Sequence, residues 1–131
     1  MKILYLYSEI CGYNVATIKA LIDKGAKVTL VHWDHKKLGK YTYKSIDGVN
    51  EYHRSKLTRK DILKLAKQIN PNITVVSGWQ DKGYLYTARY LKSNKKIVVC
   101  MLDSNWENSI KNYMAKLLEK FNITSIFYSH F

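Results

Sequence analysis

The chain has 131 residues, 47% hydrophobic and 24% charged, enough for one folded domain with its own core and too few for two. No stretch approaches the roughly 18–20 apolar residues of a membrane helix. The apolar opening is too short for a secretion signal and lacks a small-residue cleavage site, so a cytoplasmic location is expected. Twenty-two basic residues against ten acidic ones leave a net charge of +12, which suits an anionic partner, a membrane surface or a nucleic acid. Arginine, the better residue for base recognition, appears only as Arg54, Arg59 and Arg89. A sequence-specific nucleic-acid reader is therefore not expected.

In chain order, the β-prone run Lys2 to Tyr7 predicts a first strand. The spacing Val15, Ile18, Ile22, with Ala16 and Ala20, predicts an amphipathic helix from Gly12 to Gly25. Lys27 to Trp33 reads as a second strand; after a long loop over 34–48 closed by the Asp47-Gly48 turn, a short third strand is expected near Val49 to His53. Thr58, with Asp61 three residues on, forms a capping box for a helix whose stripe is Ile62, Leu65, Ala66 and Ile69 and whose stop is Asn70-Pro71. Asn72 to Ser77 is a strand. Beyond Gly78 a helix carries Tyr84, Leu85, Ala88 and Leu91 on one side, followed by a strand at Lys96 to Met101. A second capping signal, Ser104 to Glu107, opens a helix with Ile110, Tyr113, Met114, Leu117 and Leu118, and the chain closes on the strand-like ITSIFY.

Strands and helices alternate, and the central strands are continuous apolar runs, as when both faces of a sheet are covered. The expected fold is α/β: a single Rossmann-like three-layer sandwich over 1–131 with a mainly parallel sheet of about six strands. An ending on a strand without its covering helix suggests a fragment of a longer protein.

In such a sheet ligands bind beyond the carboxyl ends of the strands. There the sequence places SEICGYN, HWDHK, SGWQDKG and LDSNWEN, hence Trp33, Trp79 and Trp106 with Glu9, Asp34, Asp81, Asp103 and Glu107. Indole faces beside carboxylates suit a sugar, whose apolar side a ring covers while acids accept from its hydroxyls. The alternative is that the tryptophans close sheet ends and that Asp81 and Ser104 cap helices.

Gly12 is one glycine where a dinucleotide turn carries G-x-G-x-x-G, and no GxxxxGK[ST] occurs. Either its N–H meets an anion at a helix start, or it only permits a bend. Asp34 falls about where a ribose-binding acid would, without the glycines that give such an acid its meaning. His32 and His35 have an HxxH spacing with no third ligand, so no metal is expected. Cys11 and Cys100 fit no metal or redox spacing and read as free thiols. His53 and His130 have no identifiable partner.

Taken together, SEICGYNVATIKALIDKGAKVTLVHWD, IDGVNEYHRS, ITVVSGWQDKGYLYTARYLK and KIVVCMLDSNW resemble, over essentially the whole chain, the N-terminal half of a GT-B glycosyltransferase of the family-four type. The resemblance implies a two-domain enzyme moving a sugar from a nucleotide-sugar donor to an acceptor. It implies no metal, and no cofactor beyond the nucleotide-sugar co-substrate. This half would carry the acceptor side and be inactive without its C-terminal partner domain.

By the same resemblance Gly12 and Tyr13, with Ser77, Gly78, Trp79, Asp81 and Lys82, and with Asn105 and Trp106, would line the substrate cleft. Asp103 would take the catalytic position where many relatives have a histidine. The resemblance also implies peripheral contact with a membrane, which Lys56, Arg59, Lys60, Lys64 and Lys67, on or beside one helix, would suit, but a solvated helix face is the preferred reading of these residues. A non-enzymatic basic Rossmann-like module for an anionic partner such as nucleic acid is the alternative function. A flavodoxin-like or receiver domain is disfavoured by the absence of a paired acidic cluster after the first strand.

Overall fold

The computed structural model describes residues 1–33, 44–78, 80–102 and 125–128. Its elements are β1 (Lys2–Tyr7), α1 (Gly12–Asp23), β2 (Lys27–His32), β3 (Asn50–His53), a 3-10 turn (Arg54–Lys56), α2 (Arg59–Ile69), β4 (Ile73–Ser77), α3 (Lys82–Ser93), β5 (Ile97–Leu102) and β6 (Ser125–Tyr128). The six strands form one parallel sheet in the order β3-β2-β1-β4-β5-β6. This is the Rossmann order, in which the chain builds outward from β1 in one direction, then returns to build outward in the other. The α/β fold expected from the sequence is the one observed. The helix expected after Ser104 lies outside the described residues.

The central strands β1, β2 and β4 are largely apolar because both faces are covered, whereas the edge strand β3 is polar and mostly exposed. Along β1, Ile3, Tyr5 and Tyr7 join Ile18 of α1 with Val28 and Leu30 of β2 in one buried cluster. The alternate residues Leu4 and Leu6 join Ile62 and Ala66 of α2, Tyr84, Ala88 and Leu91 of α3, and Val98 of β5 in the other. The period-two alternation of a strand thus distributes a single run between two cores.

α2 begins as the sequence predicts. The Thr58 amide donates to Asp61 Oδ2 at 2.9 Å and the Asp61 amide to Thr58 Oγ1 at 3.2 Å, and the Thr58 hydroxyl and amide hold the Asp61 carboxyl below its usual range. The helix stops at Asn70, whose left-handed φ of 49° precedes Pro71.

α1 differs from its expected pattern. Ile18 is fully buried, but Ala16 and Ala20 are exposed. Each stands two residues from Ile18, about 200° around the helix, and so faces solvent. No helix among the described residues is long and apolar enough to cross a membrane.

Candidate functional site

The sequence order of the strands reverses between β1 and β4, and the carboxyl ends of these two strands are fastened together. The Ser8 amide donates to Ser77 Oγ at 2.7 Å, and the Ser77 hydroxyl donates to Ser8 Oγ at 3.0 Å. On the other side of β1, the Trp33 amide reaches the Ser8 carbonyl at 3.3 Å. The chain then turns through Ile10, which is buried, into α1.

Cys11 is the N-cap of α1, and its amide is met by Asn14 Oδ1 at 2.9 Å. Asn14 itself is 2% exposed. Gly12 is the exposed first residue of the helix. The left-handed glycines among the described residues are Gly25, Gly48 and Gly78, so Gly12 is not there for a bend, and its lack of a side chain leaves the helix start open. Gly78, at φ 65°, does make a turn, directly after Ser77. Of the residues singled out in the sequence, Gly12 and Tyr13 at the start of α1, Ser77 at the end of β4 and Gly78 just after it therefore lie at the reversal point. Trp79, Asp103, Asn105 and Trp106 lie outside the described residues, as do Asp34, His35 and His130.

Asp81 is differently employed. It is the N-cap of α3 and is 8% exposed. Its Oδ1 accepts from the Gly83 amide (2.7 Å), the Tyr84 amide (3.2 Å) and Arg54 Nη2 (3.1 Å). Its Oδ2 accepts from Arg54 Nε (2.8 Å) and Trp33 Nε1 (3.0 Å). These five donors exceed the roughly four lone-pair sites of a carboxylate. The acid is saturated by the protein, so the capping role weighed for it in the sequence is the one it plays, and it has no acceptor to offer a sugar. Lys82 is exposed on the first turn of the same helix.

Around this carboxylate the protein has built a network. Burial opposes ionisation of Asp81, but the Arg54 hydrogen bonds, the Tyr84 and Gly83 amides and the Arg54 charge outweigh it and hold the carboxyl below its usual range. The Arg54 guanidinium also donates to the Leu57 carbonyl and lies 5.1 Å from the Trp33 ring centroid and 5.7 Å from that of Tyr84. The Tyr84 hydroxyl is shared between the Tyr7 and Val31 carbonyls, at 3.0 and 3.2 Å, bridging the ends of β1 and β2. Burial, reinforced by the Asp81 charge and opposed by Arg54, pushes its phenol far above the ordinary range.

Neither Arg54 nor Tyr84 was singled out from the sequence as a site residue. The signal for Arg54 was present: in a chain whose cations are almost all lysine, arginine is kept where a planar fork must grip a carboxylate. Gly83 is part of the same fit. A Cβ there would sit 2.8 Å from Arg54 Nη2 and 3.0 Å from Asp81 Oδ1. Gly83→Ala is expected to cost about 2–3 kcal/mol through this overpacking, despite the gain in helix propensity. Denaturant unfolding measures it, and a variant as stable as the parent would mean that the guanidinium has room to move.

The histidine expectation resolves into a second pair. His32 is buried, with Nε2 2.6 Å from Glu51 Oε1 and Nδ1 3.0 Å from the Trp33 carbonyl, and its ring meets that of His53 edge-on at 5.2 Å. Both ring nitrogens lie against protein oxygens, and the Glu51 contact ties β2 to the edge strand β3. Among the described residues no group of His, Cys, Asp and Glu has a metal-holding arrangement.

No protein-family model matches the sequence, and no curated protein does. Solved structures do. The Bordetella bronchiseptica enzyme WbmH in complex with NAD+ superposes with a TM-score of 0.66 at 14% identity, over 98% of this chain and 56% of that one. The Thermus thermophilus UDP-glucose 4-epimerase in complex with NAD gives 0.62 at 8% identity, over 95% of this chain and 53% of that one. The Thermotoga maritima UDP-glucose 4-epimerase with UDP-glucose gives 0.62 at 10% identity, over 94% and 53%. The chain spans about half the length of these structures.

At such identities the likeness shows the fold. It overturns two expectations. The chain is similar to NAD-complexed enzymes, not to GT-B glycosyltransferases of the family-four type, and the expectation of no cofactor falls with that resemblance. The reason is physical: the segments that carried the resemblance are alternating strands, helix starts and small-residue turns, which any parallel βα domain requires and which do not specify a reaction.

Proposed function

We propose that the chain is the dinucleotide-binding half of an enzyme acting on nucleotide-linked sugars, with NAD held across the β1/β4 crevice. The observation that carries this reading is the reversal of strand order at Ser8 and Ser77, with the open start of α1 directly after it. The similar structures support it, since WbmH and an epimerase are complexes with NAD and another epimerase is a complex with UDP-glucose.

The residues fit the cofactor at its phosphates. Gly12, exposed and without a side chain, opens the positive end of α1, where backbone amides favour an anion. The three-glycine fingerprint is absent, but Asn14 turns inward to cap Cys11 instead of filling the crevice. Gly12 and Tyr13 would lie under the pyrophosphate, and Ser8, Ser77 and Gly78 would form the floor of the crevice. NAD, when bound, supplies a reversible hydride acceptor. The chain's own part is to orient the dinucleotide and close the floor beneath it through the Ser8–Ser77 pair.

Titration calorimetry of the chain with NAD tests the reading. Saturable binding is expected, weakened at least about tenfold in Gly12→Val, whose side chain would stand at the helix start where the amides meet the phosphates. The thermal midpoint of that variant should be unchanged, because Gly12 is exposed and not left-handed. Absence of NAD binding, or undiminished binding by the folded variant, would sink it.

A further inference from the structure

The surface that α2 and α3 turn away from the sheet carries a second inference, independent of the nucleotide crevice. On α2, Ile62 and Ala66 are buried while Arg59, Lys60, Lys64 and Lys67 are exposed. On α3, Tyr84, Thr87, Ala88 and Leu91 are buried while Lys82, Tyr86 and Arg89 are exposed. The two helices pack side by side over one buried cluster, so their outward residues form one face.

The seam of that face is closed by cations lying on rings. Arg59 is 4.5 Å from the Tyr86 centroid, and Lys67 is 4.6 Å from that of Tyr90. The acid present on these two helices is Asp61, whose carboxylate is engaged by the Thr58 hydroxyl and amide. Six exposed cations are thus presented on one broad surface with little acid to oppose them.

We propose that this face docks on an anionic lipid surface. A pair of parallel helices offers a flat platform, which suits a plane of headgroups better than a groove. Four of its six cations are lysines, compact and strongly hydrated, matched to phosphate and carboxylate headgroups rather than to base edges. Arg59 occupies one side of the Tyr86 ring and Lys67 one side of the Tyr90 ring, which leaves less bare ring on which an unpaired base would stack. The apolar sides of both helices are spent on the core, so attachment is by electrostatic adsorption at the surface, without insertion.

The test is flotation of the chain with phosphatidylcholine vesicles containing about one-third phosphatidylserine, against vesicles of phosphatidylcholine alone. Binding to the anionic vesicles alone is expected, falling steeply with added salt. The double variant Lys60→Glu/Lys64→Glu, both exposed on α2, should weaken it at least about tenfold. The double variant Lys19→Glu/Lys27→Glu makes the same charge change at exposed positions on α1 and β2 and should keep most of it. Equal loss in the two variants would assign the effect to net charge and overturn the proposal, as would equal binding to neutral vesicles or none to anionic ones. Tighter binding to duplex DNA or to single-stranded RNA than to anionic vesicles would also overturn it. Circular dichroism of each variant separates lost docking from lost fold.

Discussion

Asp81→Ala is expected to lower the unfolding free energy by about 3–5 kcal/mol, the range for removing one partner of a buried ion pair. The substitution leaves the Arg54 guanidinium, 14% exposed, without its carboxylate, and leaves Trp33 Nε1 and the first amides of α3 without their acceptor. A double-mutant cycle with Arg54→Met in urea measures the coupling. Additive losses would show that cap and ion pair act separately. The pair also predicts a pH dependence. Because the folded-state value of Asp81 is depressed, its contribution is fully present above the unfolded carboxyl value near about 4 and is lost as pH falls through the folded value. The parent should therefore lose stability in acid more steeply than Asp81→Asn. Asp61, shifted in the same direction, is common to both proteins and cancels in the comparison.

Tyr84→Ala should be nearly as costly, at about 3–5 kcal/mol, because it empties a fully buried ring from between α3 and the sheet. Tyr84→Phe divides that loss. It keeps the ring and removes the hydroxyl that serves the Tyr7 and Val31 carbonyls, for about 1–2 kcal/mol. A phenylalanine variant as stable as the parent would mean that other donors satisfy those two strand ends. Guanidinium unfolding followed by far-ultraviolet circular dichroism distinguishes the cases.

The contrast between fold and site follows from what each depends on. β1, β2, β4 and β5 were legible because burial on both faces forces an unbroken apolar run, and α2 because Thr58 and Asp61 write their cap into adjacent sequence. With the Tyr7 and Val31 carbonyls, the Arg54–Asp81–Trp33–Tyr84 network joins four segments up to 77 residues apart, as far as Tyr84 is from the Tyr7 carbonyl. Nothing local distinguishes an acid that will be saturated by such partners from one that will face a ligand. Ser8 and Ser77 became meaningful only when the strand order set β1 beside β4. Spacing alone did place Gly12, Ser77 and Gly78 at the carboxyl edge of the sheet, because any parallel sheet brings the residues at and just past its strand ends to one edge.

The central place of β1 also bears on how the polypeptide comes off the ribosome. Its partner on one side, β2, follows almost at once, but its partner on the other comes from β4, and the Lys2 amide meets Asn72 across 70 residues. At roughly 5–20 residues per second, synthesis leaves Leu4 and Leu6 uncovered for several seconds before their neighbours emerge. The nascent segment must wait, apolar and unpaired along its β4 side, until Ser77 has cleared the exit tunnel, and during that interval it is a natural client for a chaperone.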